Sequence, residues 1–324
     1  MTVSVAMCTY NGALYIEEQL RSILAQTVPV NEIVICDDGS TDTTIDILHR
    51  VQQSTTTPIT IYVNEQHLGV NLNFEKAIKH CSGDIIFLSD QDDIWEENKV
   101  EVIKHYFSTH NDKTVVFGDA VLIDRVGQVI ENYGDEMRLW EYAGFSKRAQ
   151  KQFNQGFGLE LWAQMNRATG ATMAFRKSIV SQVQFDRTDM FHDAILSLQA
   201  MATNSLGYIT QPLIRYRLHE HNTAGCNLEA PKIESWDDAR FAGLPWADVT
   251  TFPWNSNRQF RLAFLEHRYY TKWTFMGWKI YVMLPKYIKA YGKHFPSFVS
   301  YDMKNAWVHS IERIRKKKLS KLLR

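Results

Sequence analysis

No glycine-rich phosphate loop occurs in this chain: neither G-x-G-x-x-G nor G-x-x-x-x-G-K-[ST] is found in its 324 residues. That disfavours a dinucleotide-dependent enzyme and a P-loop ATPase, which cradle phosphate on backbone N–H groups of such loops. A diphosphate bound here needs another source of positive charge. Also missing is any apolar run near the roughly 20 residues of a membrane-spanning helix. The opening Met1-Thr2-Val3-Ser4-Val5 is strand-like, without the basic and apolar stretches of a leader. Cysteine is scarce: Cys8, Cys36, Cys81 and Cys226 show no C-x-x-C spacing. They read as reduced thiols, two of them as small apolar residues inside strand-like runs, and the expected location is cytoplasmic. Internal repeats and low-complexity linkers are absent as well. So is net charge, with 36 Lys and Arg against 36 Asp and Glu. Neutrality argues against a dedicated nucleic-acid binder.

What is present is a globular composition, 45% hydrophobic and 22% charged, which excludes disordered and collagen-like chains. The neutral average conceals a split. Residues 1–135 carry 21 acidic and 8 basic side chains, residues 136–255 carry 12 of each, and residues 256–324 carry 3 acidic and 16 basic. An acidic head and a basic tail are surfaces for different partners.

Short β-rich runs alternate with amphipathic segments through the first 120 residues. Val3 to Met7, Glu32 to Cys36, Ile59 to Val63, Asp84 to Leu88 and Thr114 to Phe117 read as strands. Between them Ile16, Leu20, Ile23 and Leu24 mark one helical face, and Ile45, Leu48 and Val51 a second after Ser40 or Thr41 as N-cap. Phe74, Ala77, Ile78 and Cys81 mark a third, and Val102, Ile103, Tyr106 and Phe107 a fourth, with a helix start near Trp95. This order predicts an α/β fold, a Rossmann-like, mostly parallel sheet flanked by helices. Further along, Ala168 to Arg176 reads as a strand, Asp193 to Ala202 as a helix and Ile214 to Leu218 as extended. Ligands of such sheets collect at the carboxyl ends of the strands.

Two strand ends are acidic. The second runs into Asp37-Asp38-Gly39-Ser40, which suits either a tight turn or carboxylates that accept hydrogen bonds from a base or ribose. The fourth runs into Asp90-Gln91-Asp92-Asp93. Three carboxylates in four residues repel one another unless they are solvated or share a cation, and hard oxygen ligands suit Mg2+ or Mn2+.

Together with Cys8-Thr9-Tyr10-Asn11-Gly12, Thr169-Gly170-Ala171-Thr172-Met173 and Phe191-His192-Asp193, these elements give the chain a familiar order. It resembles the inverting family 2 nucleotide-sugar glycosyltransferases of the GT-A fold over roughly residues 3–220. Leu88 to Trp95 and Tyr216-Arg217-Leu218-His219 are similar to the rhamnosyltransferase-like branch. The resemblance implies a GT-A catalytic domain over 1–225, with a nucleotide-binding half at 1–120 and an acceptor-side half at 121–225. Residues 226–324 would form an aromatic, basic and mostly helical appendage.

The implied roles follow residue by residue. Thr9, Tyr10 and Asn11 would line the nucleotide pocket, and Asp37, Asp38 and Asp90 would hold the nucleotide. Asp92, with Asp90 and His219, would hold Mn2+ or Mg2+ under the diphosphate. Asp193 would be the general base, although a helix-capping Asp occupies the same local position. Trp95, Gly170 and His192 would face the donor or acceptor sugar; Trp140 and Trp162 are further stacking candidates, and for each of the three tryptophans a place in the core is the stronger alternative. Two departures stand out. Phe74 occupies a position where many members have an Arg that helps hold the nucleotide, and His192 replaces the acid of the usual Glu-Asp pair.

The implied reaction is inverting transfer of a sugar, L-rhamnose from dTDP-L-rhamnose first, onto a glycan or lipid-linked glycan acceptor in bacterial surface polysaccharide synthesis. A UDP-hexose or UDP-N-acetylhexosamine donor is the alternative within the family. A sugar nucleotidyltransferase lacks its glycine-rich signature here, and a non-catalytic nucleotide-sugar-binding subunit is the rival from another class. In the tail, Lys272, Lys279, Lys286 and Lys293 recur every seven residues beside an apolar stripe, and Arg313 to Lys318 is almost wholly basic. That pattern suits a helix packed on the catalytic domain, or one lying on the anionic inner face of the plasma membrane. No nucleic-acid motif accompanies it.

Overall fold

The strand β1 (Val3–Thr9) is apolar almost throughout because it lies mid-sheet, with both faces covered. The computed structural model describes residues 1–132, 134–143, 145–158, 166–185, 190–220 and 222. After β1 come α1 (Ile16–Leu24), β2 (Glu32–Asp37), α2 (Thr44–Gln53), β3 (Ile59–Val63), α3 (Val70–His80), β4 (Ile85–Ser89), β5 (Ile94–Trp95), α4 (Lys99–Thr109) and β6 (Val115–Ile123). A two-stranded hairpin, β7 (Glu131–Asn132) and β8 (Asp135–Glu136), precedes the short helices α5 (Leu139–Tyr142) and α6 (Lys147–Gln152). Then follow β9 (Ala174–Arg176), α7 (His192–Ala202) and β10 (Leu206–Arg217).

The main sheet has the order β3-β2-β1-β4-β9-β6-β10-β5. β1 runs parallel to β2 and β4, with Val5 opposite both Ile33 and Phe87. β9 is antiparallel to β4 and β6, and β5 is antiparallel to β10. The chain steps outward from β1 through β2 to β3, then returns to set β4 on the other side of β1. That reversal opens a crevice at the carboxyl ends of β1, β2 and β4, where their following loops meet.

Helical periodicity did its work where it was clearest. α1 buries Ile16, Leu20 and Ile23, α2 buries Leu48 and Val51, and α4 buries Val100, Ile103 and Phe107. Each such side chain stabilises the fold by roughly 1.5–3 kcal/mol relative to exposure. Among the described residues, no helix is long and apolar enough to cross a membrane. Cys8, Cys36 and Cys81 are free thiols; Cys226 and the basic tail lie outside the described residues.

Four local expectations need correction. Ser40 and Thr41 do not cap α2, which begins at Thr44; the Ser40 hydroxyl instead donates to Asp37. Trp95 does not open a helix, because it pairs with Ile214 as a two-residue strand, and α4 starts at Lys99. Only Ala174–Arg176 of the 168–176 run is a strand, since Gly170–Thr172 winds into a 3-10 turn. The strand expected at 114–117 extends to Ile123, because the parallel partner β10 continues beside it.

Candidate active site

The turn after β2 is built by its own acids. Asp37 is fully buried, and its carboxylate accepts from the Thr9 hydroxyl at 2.7 Å, the Ser40 hydroxyl at 2.6 Å, and the backbone N–H groups of Gly39 and Ser40. Asp38 is 3% exposed and collects the N–H groups of Leu68 and Gly69, the Asn64 amide and a His67 ring nitrogen at 3.1 Å. A carboxylate with this many donors has little capacity left for a ligand. Both acids therefore shape the loops, and the expected direct contact with base or ribose is not made by exposed oxygen atoms. Thr9 is buried with them. What the loops present outward is the half-exposed Tyr10 ring, whose edge meets the exposed His67 at 4.8 Å between centroids.

Asn11 joins the β1 and β2 loops. Its φ of +48° is a left-handed conformation that Asn tolerates better than most residues. The backbone N–H donates to the Ser40 hydroxyl at 2.8 Å, and its Oδ1 accepts from the Thr41 N–H.

The loop after β4 is tied to the same place. Gln91 closes a pair of hydrogen bonds on the Tyr10 backbone, accepting its N–H at 2.9 Å and donating to its carbonyl at 3.1 Å. Gly12 leaves room for this clamp, since a Cβ there would stand 2.2 Å from Gln91 Oε1. Asp92 Oδ2 lies 2.9 Å from His219 Nε2, with side-chain exposures of 13% and 6%. The structure thus brings together the D-x-D element and the late-loop histidine.

Asp93 departs from the expectation of a solvated acid. It is buried, one oxygen accepts the Arg217 N–H at 3.0 Å, and the other has no partner. Burial, with Asp92 and Asp90 beside it, holds its carboxyl well above the usual range.

Sequence reasoning missed the cations beneath this loop. Arg217 is almost fully buried; its guanidinium donates to the Asp92 carbonyl at 2.7 Å and to Glu18 at 2.6 Å, and sits 4.7 Å from the Tyr15 ring centroid. Lys99 is wholly buried, donates to the Ala171 carbonyl at 2.9 Å and lies 3.9 Å over the Trp95 ring. Burial lowers its pKa to about 7, against the pull of Asp93 and Asp90. For Arg217 a sequence signal existed, two residues before His219; Lys99 looked like an ordinary helix-start lysine.

On the far wall α7 begins at His192, and Asp193 lies in its first turn rather than at the N-cap, which is Phe191. The Asp193 carboxylate accepts the Gly170 N–H at 3.1 Å and the Ala194 N–H. Burial raises its pKa to about 6, opposed by these hydrogen bonds. Asp90 is pushed up to about 7 by burial, with Asp92 and Asp193 acting in the same direction and Lys99 against it. Three carboxylates, two from the loop after β4 and one from α7, therefore share one electrostatic environment.

If Asp193 accepts a proton in catalysis, it must enter the reaction ionised. We expect kcat/KM, which reports the free enzyme, to rise with pH through about 6, the direction its raised pKa dictates. A profile from about pH 5 to about pH 8 checks this; a flat acidic limb contradicts it.

The sugar-facing expectations fare differently. Trp95 is 3% exposed, packed on Phe87 and covered by Lys99, so its faces are not free for a pyranose. Trp140 is a core residue whose indole donates to the Gly118 carbonyl. Gly170 is buried and donates its N–H to Asp193. His192 is 6% exposed, and both ring nitrogens are covered by protein without a hydrogen-bond partner. None of the four presents a polar atom or open ring face to a sugar in this structure. Trp162 lies outside the described residues.

The donor set is compatible with a hard divalent ion. Among the described residues no three His, Cys, Asp or Glu side chains form a ligand cluster. Mg2+, however, commonly takes one or two carboxylates and completes its shell with water and phosphate oxygens. Asp92 and His219 already converge, and Asp90 occupies the same acidic environment with a raised pKa that a cation would lower.

Comparison with known proteins adds a family to this geometry. Residues 4–183 match the model of Glycosyl transferase family 2. The chain is 30% identical over 227 residues to the dTDP-rhamnosyl transferase RfbG of Shigella flexneri, covering 68% of this chain and 74% of that one. It is 35% identical over 100 residues to the Escherichia coli UDP-Glc:alpha-D-GlcNAc-diphosphoundecaprenol beta-1,3-glucosyltransferase WfgD, over 31% of this chain and 38% of that one. The crystal structure of S. aureus TarS 1-349 in complex with UDP-GlcNAc superposes with a TM-score of 0.49 at 18% identity, over 68% of this chain and 60% of that one. The chain thus spans less than two thirds of WfgD and of TarS.

Proposed function

From the premise that the chain belongs to glycosyltransferase family 2, we propose that it is an inverting, divalent-metal-dependent transferase of L-rhamnose from dTDP-L-rhamnose. The acceptor is a glycan, carried on a lipid, in the synthesis of a bacterial surface polysaccharide such as O-antigen or capsule. One observation supports the reading best: Asp92, after β4, lies against His219, after β10, while Asp193 at the start of α7 and Asp92 both act on the buried Asp90. The 30% identity to a dTDP-rhamnosyl transferase supports the donor.

Inverting transfer is a single displacement at the anomeric carbon. Asp193 takes the proton of the acceptor hydroxyl as that oxygen attacks. Gly170 holds one carboxylate oxygen, leaving the group aimed by rigid backbone. Asp92 and His219, with Asp90, would hold Mn2+ or Mg2+, which when bound supplies electrophilic stabilisation of the leaving diphosphate. Asp37 and Asp38 fix the loops that carry Tyr10, Asn11 and His67, and these loops form the nucleotide subsite.

A thermal-shift panel of nucleotide sugars, with and without Mn2+, tests this reading. The expected result is a selective, Mn2+-dependent rise in Tm with dTDP-L-rhamnose. A selective response to UDP-glucose or a UDP-N-acetylhexosamine would move the donor within the family, which the likeness to WfgD makes the second reading. Binding without any transfer or hydrolysis would instead support a non-catalytic nucleotide-sugar subunit.

The basic tail, 16 Lys and Arg against 3 acids over residues 256–324, suits contact with an anionic membrane where a lipid-carried acceptor resides. On this reading the enzyme works in the cytoplasm, peripheral on the inner face of the plasma membrane. We expect flotation with anionic vesicles at low salt and loss of flotation at high salt. Absence of binding at low salt removes the membrane role.

A further inference from the structure

We propose that His192 is a positioning residue for the catalytic base: its ring is a plate, held between Phe74 and Gly170, that ties the Asp193 carboxylate to helix α3. This rests on Asp193 being the base. His192 and Asp193 are consecutive at the start of α7, so whatever fixes one backbone fixes the other.

Contacts of different kinds tie this point to α3. The His192 ring stacks on Phe74 with centroids 4.0 Å apart and planes 25° from parallel. The Asn71 side chain accepts the His192 N–H at 2.9 Å and donates to the Met190 carbonyl, gripping the chain on both sides of Phe191. Phe74 is itself 1% exposed, so the plate rests on a core residue rather than a mobile one.

Gly170 completes the brace from the opposite side. A Cβ on it would stand 2.8 Å from His192 Nε2 and 3.6 Å from Asp193 Cβ, so ring and base are packed against the same glycine. The Gly170 N–H meanwhile donates to Asp193.

The ring serves in this role as a shape. Both its nitrogens are covered by protein and make no hydrogen bond, so the ring does not hold the base through a proton. Burial also lowers the ring pKa to about 3, which keeps it uncharged beside Asp193. A neutral brace adds no charge of either sign to an environment already holding Asp90, Asp92 and Asp193.

The test is a double-mutant cycle on kcat with His192→Ala and Phe74→Leu, the latter keeping apolar volume while removing the flat face. Release of dTDP from dTDP-L-rhamnose with Mn2+ is the rate, and titration with dTDP gives nucleotide affinity. Each single variant is expected to lower kcat about tenfold or more, with donor KM and dTDP Kd changed less than about twofold. The double variant should be no slower than the slower single, because both remove one brace. His192→Phe, which keeps a plate without nitrogens, should recover most of the rate. Full additivity in the cycle, wild-type kcat in folded His192→Ala, or a folded His192→Phe as slow as His192→Ala would overturn the brace. Should Asp193→Asn transfer at the wild-type rate, the base assignment itself fails, whatever the His192 variants do.

Discussion

Asp193→Asn is expected to lower kcat for transfer by about a hundred- to ten-thousand-fold, the usual worth of a general base, while leaving dTDP affinity unchanged. Asn preserves the size of the side chain and one oxygen, which can accept one of the two N–H groups, Gly170 or Ala194, that now bond to different oxygens of Asp193. The helix start keeps one of its two anchors, so the variant should fold with at most a modest loss of Tm. The substitution removes the capacity to take a proton together with one N–H contact. This separates a base from a carboxylate that merely stabilises the first turn of α7. A structural role predicts a lower Tm with near-normal turnover, the reverse pattern. Steady-state kinetics on transfer, paired with a dTDP titration, distinguish the two.

Asp92→Ala should do the opposite: nucleotide binding, not proton transfer, is lost. Asp92 is the acid that meets His219 at 2.9 Å, and its backbone carbonyl is held by the buried Arg217. These two contacts hold both the side chain and the backbone of Asp92 in place. Residues that only support a metal ligand cost 10–100-fold in affinity when removed, so loss of a ligand should cost at least about a hundredfold. We expect the dTDP Kd of the variant in Mn2+ to match that of the wild-type protein in EDTA. Adding Mn2+ to the variant should then restore nothing. An Asp92→Ala protein that binds dTDP as tightly as wild type in Mn2+ would remove Asp92 from the diphosphate end of the site.

The alternation of strands and amphipathic helices was visible in the sequence because burial on both faces of a parallel sheet leaves long apolar runs. Helical periodicity likewise exposed Leu20, Leu48 and Ile103 as core residues. Position on the chain also pointed to the acids at the ends of β2 and β4, since turn loops must follow strands. What could not be read was which of these acids are filled by hydrogen bonds from their own loops. Asp37 and Asp38 look alike in sequence to Asp90 and Asp92, yet the first pair is filled by hydrogen bonds from its own loops. That difference depends on where Leu68, Gly69 and Asn64 arrive in space.

The two departures from the family pattern carry the same lesson. Phe74 and His192 stand far apart in sequence and read as unrelated substitutions. In the fold their rings stack at 4.0 Å, so they form one contact. Arg217 and Lys99 escaped notice for a related reason: a buried cation is defined by its partners. Here those partners are the Asp92 carbonyl, Glu18 and the Ala171 carbonyl, drawn from separate elements. Trp95 misled in the other direction, since an aromatic beside an acidic loop suits sugar stacking until packing against Phe87 and Lys99 covers it.

The most direct test of the whole account is release of nucleoside diphosphate from a panel of nucleotide sugars by the full chain, first with Mn2+ and then with excess EDTA. We predict that one donor, dTDP-L-rhamnose, is turned over and that EDTA stops the reaction. Turnover of no nucleotide sugar, or turnover unaffected by EDTA, would contradict a metal-dependent glycosyl transfer centred on Asp193, Asp90, Asp92 and His219.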